Sequence, residues 1–126
     1  MPRFLSVARV LQIHARVIDK YGGTHGVRDL GLLESAVAMP QAGFGDDYMH
    51  GSLVEMAAAY LYHLAQNHPF VDGNKRVALA ASLAFLKLNG VTVKADQDEI
   101  AEIVLGVACG EISKSEVAVY LKSRAT

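Results

Sequence analysis

The chain holds a single cysteine, Cys109, among 126 residues, so neither a disulfide framework nor a thiolate zinc site can be assembled within one copy. That scarcity suits a reducing compartment. Neither sign of charge is in excess: 12 Lys and Arg stand against 13 Asp and Glu, a formal net charge of -1. Without a basic surplus the chain has no general attraction for a phosphate backbone. Direct nucleic-acid binding is therefore not expected, and any anion must be held by a local cluster. Long apolar runs are also missing. The longest, Val77 to Leu86, contains Ser82 and falls well short of the roughly 20 residues a bilayer demands. The first residues, MPRFLSVARV, lack the apolar stretch of a secretory signal. A soluble cytoplasmic protein without membrane contact is expected. No repeat or linker interrupts the sequence, and its length fits one domain over residues 1–126.

Apolar residues are plentiful: 52% are hydrophobic and 20% charged. That supports a core without staples and leaves a surplus that a partner would cover. Between the breakers Gly22-Gly23, Pro40, Pro69, Gly73, Gly90 and Gly110 the apolar period is helical. Ser6 is placed to cap a helix with a Val7, Val10, Leu11, His14, Val17, Ile18 stripe. Asp29 opens a second helix carrying Leu32, Leu33, Ala36 and Val37, stopped before Pro40. Residues 41–51, QAGFGDDYMHG, read as an exposed loop or short hairpin. Ser52 and Glu55 have capping-box spacing ahead of a third helix that runs into His68. Residues 74–88 are apolar nearly all round, which predicts the centre of a bundle. Asp96 starts a fifth helix, and Ser113 with Glu116 starts a sixth. Cys109 is expected in the core, and His14, His25, His50 and His63 as structural or exposed residues. The pattern predicts an all-α bundle of about six helices, with a short flap loop or hairpin before the third.

One stretch does not fit a purely structural reading. NHPFVDGNKR, residues 67–76, crowds His68, Asp72, Asn74, Lys75 and Arg76 just before the most apolar helix. Helix N-termini leave backbone N–H groups unpaired and carry partial positive charge. With Gly73 permitting a tight turn, the N–H groups from Gly73 to Arg76 are placed to cradle a phosphate. Asn74 can hold the loop's shape, Lys75 supplies a point charge, and Arg76 supplies a fork matched to phosphate oxygens. Asp72 suits Mg²⁺, which takes one or two carboxylates plus phosphate oxygens; it can equally cap the following helix. His68 is the candidate general base, and Phe70 the inward anchor. Base, metal ligand, anion cradle and cationic clamp are the parts of phosphoryl or nucleotidyl transfer.

HPFVDGNKR, His68 to Arg76, resembles the Fic motif, His-x-Phe-x-(Asp or Glu)-Gly-Asn, and its Lys-Arg continuation resembles the Doc ("death on curing") branch. The YGG of residues 21–23, RDLGLLESAVAMPQ of 28–41, FLKLNG of 85–90 and GEIS of 110–113 extend the likeness along the chain. The resemblance implies an all-α Fic fold, His68 as base, Asp72 as Mg²⁺ ligand and residues 73–76 as the ATP-phosphate site. It implies a toxin of a type II toxin–antitoxin module that transfers the ATP γ-phosphate to a hydroxyl of a translation factor, of the elongation factor Tu type. It further implies a Phd-like antitoxin acting through its C-terminal segment. Segment 41–51 falls where a target-docking flap is expected, and the antitoxin segment is expected near it and the loop of residues 68–76.

AMP-transferring Fic enzymes continue Gly-Asn-Gly-Arg-x-x-Arg. Here Lys75 replaces the second glycine and Leu79 the second arginine. No Glu is followed by Gly or Asn, so the self-inhibitory (Ser/Thr)-x-x-x-Glu-(Gly/Asn) segment is lacking. The alternatives to a kinase are a Fic AMP-transferase and an inert nucleotide- or antitoxin-binding module.

Overall fold

The computed structural model describes residues 2–44 and 47–126. Residues 45–46, within the 41–51 segment, lie outside the described residues. The described elements are α1 (Val7–Tyr21), α2 (Leu30–Ala38), a 3₁₀ turn (Met39–Gln41), strands β1 (Gly43–Phe44) and β2 (Asp47–Tyr48), α3 (Leu53–Asn67), α4 (Asn74–Leu88), α5 (Gln97–Ala108) and α6 (Lys114–Arg124). The fold is all-α. The strands form an antiparallel hairpin that pairs Gly43 with Tyr48 and Phe44 with Asp47.

Helix starts follow side-chain chemistry. Ser6 accepts from the Arg9 N–H and Asp29 from that of Leu32, while Asp96 accepts from both Asp98 and Glu99. Ser113 and Glu116 complete a capping box. At α3 only half of the expected box forms. The Ser52 hydroxyl accepts from the Glu55 N–H, but the Glu55 carboxylate reaches back to Gly51 rather than Ser52.

The buried centre is α3, not α4. Six consecutive α3 residues, Met56 to Leu61, are buried, and α3 packs against α2, α4, α5 and α6. In α4, Leu79, Ala80, Leu83 and Ala84 are only half-buried and Leu88 is exposed. Alanines at 57, 58 and 59 let neighbouring helices approach α3 on every side, so the smaller residues occupy the middle. Two further expectations are corrected. Leu11 is exposed and Ile13 takes its place in the α1 stripe, because a 3.6-residue period favours the position three beyond Val10 over the adjacent one. Cys109 is exposed, since it is the C-cap of α5, past that helix's last buried residue Val107. Among the described residues, no helix is long and apolar enough to cross a membrane.

Candidate active site

Helix α3 stops at Asn67, and its C-cap, His68, takes the left-handed conformation at φ 47°, ψ 54°. It is the one non-glycine residue with positive φ among the described residues. Such a backbone costs an L-residue about 1–2 kcal/mol and persists only where its surroundings fix it. Arg28 does so: its Nε donates to the His68 carbonyl at 2.7 Å and its Nη2 to the Asn67 carbonyl at 3.0 Å. The Pro69 carbonyl then accepts from the N–H groups of Arg28 and Asp29, and Val27 bridges Phe70 antiparallel.

The segment running beside the loop is therefore the α1–α2 connection, residues 22–29. The described residues of the expected flap, 41–44 and 47–51, precede the other end of α3. Tyr48 packs on Phe4, and Phe4 stacks on Phe85 near the far end of α4. Helix α3, about 22 Å long at 1.5 Å per residue, separates the hairpin before it from the loop after it.

Inside the loop, Phe70 is 1% exposed and stacks on the His14 ring at 3.7 Å. Nε2–H of His14 donates to the Asp72 carbonyl at 2.8 Å, which assigns the proton to that nitrogen. Asn74 closes the loop by accepting from the Phe70 N–H at 2.9 Å and donating to the Phe70 carbonyl at 3.0 Å. Gly73 caps α4 at φ 76°, and a Cβ there would stand 2.9 Å from Ile18 Cδ1. Gly23, at φ 117°, has no more room: its Cβ would meet Asp72 Oδ2 at 2.7 Å.

Asp72 does not cap α4. Oδ1 accepts from the Gly73 N–H at 2.8 Å and Oδ2 from the Thr24 N–H at 3.1 Å. Because α4 begins on a left-handed glycine with no side-chain cap, its first-turn N–H groups stay open. Lys75 and Arg76 occupy that turn and are exposed. Cations at the positive end of a helix are unfavourable unless an anion joins them. The Arg76 guanidinium lies 4.2 Å from the centre of the Tyr21 ring, which holds it at the end of α1. Each Asp72 oxygen accepts one hydrogen bond and retains a lone pair on an exposed face. A lone outward carboxylate beside an anion cradle fits Mg²⁺, which keeps several waters and shares phosphate oxygens.

The proposed base, metal ligand and anion cradle thus occupy one connection between α3 and α4, with Lys75 and Arg76 at its end. Sequence reasoning missed the residues that shape it: His14, Tyr21, the Thr24 backbone and Arg28. Tyr21 and Arg28 fall inside the YGG and RDLG segments, and that was their only signal.

A family model described as Fic/DOC family matches residues 4–86, from before α1 through the whole loop to the last turn of α4. The chain is similar to "Protein kinase doc" of Escherichia phage P1, 39% identical over 120 residues covering 95% of this chain and 94% of the relative. It is also similar to "Toxin Doc" of Mycolicibacterium smegmatis, 51% identical over 78 residues covering 62% of this chain and 60% of the relative. The match covers the fold, the loop and most of both chains in the first comparison, so this protein belongs to the Fic/DOC family.

Proposed function

We propose that this protein is a Doc-type toxin that transfers the γ-phosphate of ATP to a hydroxyl of a protein target. The observation that carries the reading is the open N-terminus of α4, uncapped and with Lys75 and Arg76 in its first turn. In this reading the first-turn N–H groups and both cations hold the phosphates. Asp72 holds Mg²⁺, which when bound neutralises charge on the phosphate oxygens. His68 takes the proton from the target hydroxyl. The hydroxyl oxygen bonds to the γ-phosphorus, and the bond from that phosphorus to the bridging oxygen breaks, releasing ADP. The names of both relatives, a kinase and a toxin, support this direction.

Leu79 favours phosphoryl transfer over AMP transfer. It is half-buried and packed against the core where AMP-transferring relatives carry a second arginine, so the clamp for that reaction is missing. The target is a translation factor of the elongation factor Tu type, and a Phd-like antitoxin, through its C-terminal segment, controls the toxin in a type II module.

The test is ATP labelled at the γ-phosphate or at the adenine, incubated with the protein and a lysate. Label from the γ-phosphate alone on a protein band, lost in His68→Ala, is expected. Adenine label on the band would establish AMP transfer, and no label from either, with ATP still bound, would leave a nucleotide-binding module.

A further inference from the structure

We propose that the groove between the hairpin's exit and α6 is a docking site for an acidic, amphipathic helical segment of a partner protein. The groove has a volume of about 630 Å³, within the 300–1,000 Å³ typical of ligand sites. It lies at the hairpin end of the molecule, apart from the loop of residues 68–76, and the proposal stands independently of phosphoryl transfer.

Three basic groups, His50, Lys114 and Lys122, line the groove against one carboxylate, Glu55, among the described lining residues. His50 lines it, is 7% exposed, and its Nδ1 finds no hydrogen-bond partner. Buried polar atoms in native proteins are overwhelmingly paired, so a lone ring nitrogen points to something not yet in place. Alongside, the Lys114 ammonium donates to His63 Nε2 at 3.1 Å, so two basic groups stand against each other. The one carboxylate among the described lining residues, Glu55, already accepts from the Gly51 N–H. Burial, and then the Lys114 charge, push His63 down to about 4, and the same two causes lower His50 against the opposing charge of Glu55. A carboxylate entering the groove would oppose both shifts.

The apolar lining decides which anion fits. Met49 is 67% exposed and Val119 70%, and Val54 and Ala118 lie with them along the groove. Helix α6 sets Lys114 and Lys122 at the two ends of this stripe, about 12 Å apart at 1.5 Å per residue. A free phosphate would use the cations and leave Met49 and Val119 in water. A basic segment would be repelled. A helix with carboxylates two turns apart and apolar residues between them matches both the charges and the apolar middle.

The probe is a fluorescent helical peptide of about 16 residues, with two glutamates two turns apart and leucines between them. Anisotropy should show it binding the whole protein at least about tenfold more tightly than the same peptide with lysines for glutamates. Lys122→Glu should weaken the acidic peptide at least about fivefold with no change in melting temperature. The His63 ring, followed by NMR, should titrate higher when the peptide is bound. Equal affinity for both peptides, or indifference to Lys122→Glu, would overturn the proposal. So would inorganic phosphate shifting the His63 ring as far as the peptide does, which would leave a small-anion site only.

Discussion

His14 joins α1 to the loop by two contacts that substitution can separate. His14→Phe keeps a flat ring against Phe70 and removes the donor to the Asp72 carbonyl. His14→Gln keeps a donor and removes the stack. A hydrogen bond of this kind contributes about 0.5–1.5 kcal/mol net, and an aromatic stack a similar amount. His14→Phe should therefore cost about 1 kcal/mol, or roughly 3–5 °C in melting temperature for a chain of this size. The protein would stay almost wholly folded at 25 °C, so any larger loss in ATP affinity must come from the loop. Without the His14 bond the Asp72 backbone is free to turn, and the carboxylate and the first N–H groups of α4 turn with it. We expect titration calorimetry in Mg²⁺ to give at least about a tenfold weaker ATP complex for His14→Phe, with His14→Gln closer to the parent. If His14→Phe binds ATP like the parent while melting lower, the bond serves only stability and α1 does not shape the site.

Other outcomes follow from the same geometry. Asp72→Asn should weaken ATP binding much more in Mg²⁺ than in EDTA; equal loss in both would remove the metal from its role. Tyr21→Leu should release Arg76 and weaken ATP binding severalfold, whereas Tyr21→Phe, which keeps the ring under the guanidinium, should not. His63 is held neutral in the fold, down to about 4 against an ordinary 6.5. The unfolded chain therefore binds the extra proton first, and stability present above pH 6.5 should be lost as pH falls toward 4. Urea melts across that window should be flatter for His63→Gln.

Helix boundaries were legible because they rest on local chemistry. The caps Ser6, Asp29, Asp96 and Ser113 each act within three residues of their own position. Residues 74–88 came out as one helix because Gly73 and Gly90 bracket an unbroken apolar period. The loop was legible for the same reason: Asp72, Gly73, Asn74, Lys75 and Arg76 are neighbours in the chain. What joins them from elsewhere was not. His14 reaches Asp72 across 58 residues and Arg28 reaches His68 across 40, and no local period encodes such a pairing. Apolar content does not measure depth: α3 is central because its small residues admit neighbours on every side. The breakers of residues 41–51 mark a loop or hairpin, yet the place of Tyr48 beside Phe4 is a property of tertiary packing.

If His68 is the base of the proposed reaction, durability and chemistry pull in opposite directions at that position. Alanine there would delete the imidazole and keep the backbone penalty of the left-handed turn. Glycine would delete the imidazole and relieve the penalty, a difference of about 1 kcal/mol or more in its favour. Asparagine would fall between them, and a β-branched residue would be the worst choice. A library at this codon screened only for yield or heat resistance would drift toward glycine and away from histidine. Under the proposed mechanism, in which His68 takes the proton of the target hydroxyl, a more stable and inert form of the molecule would lie one substitution away, and the histidine would contribute reactivity rather than stability.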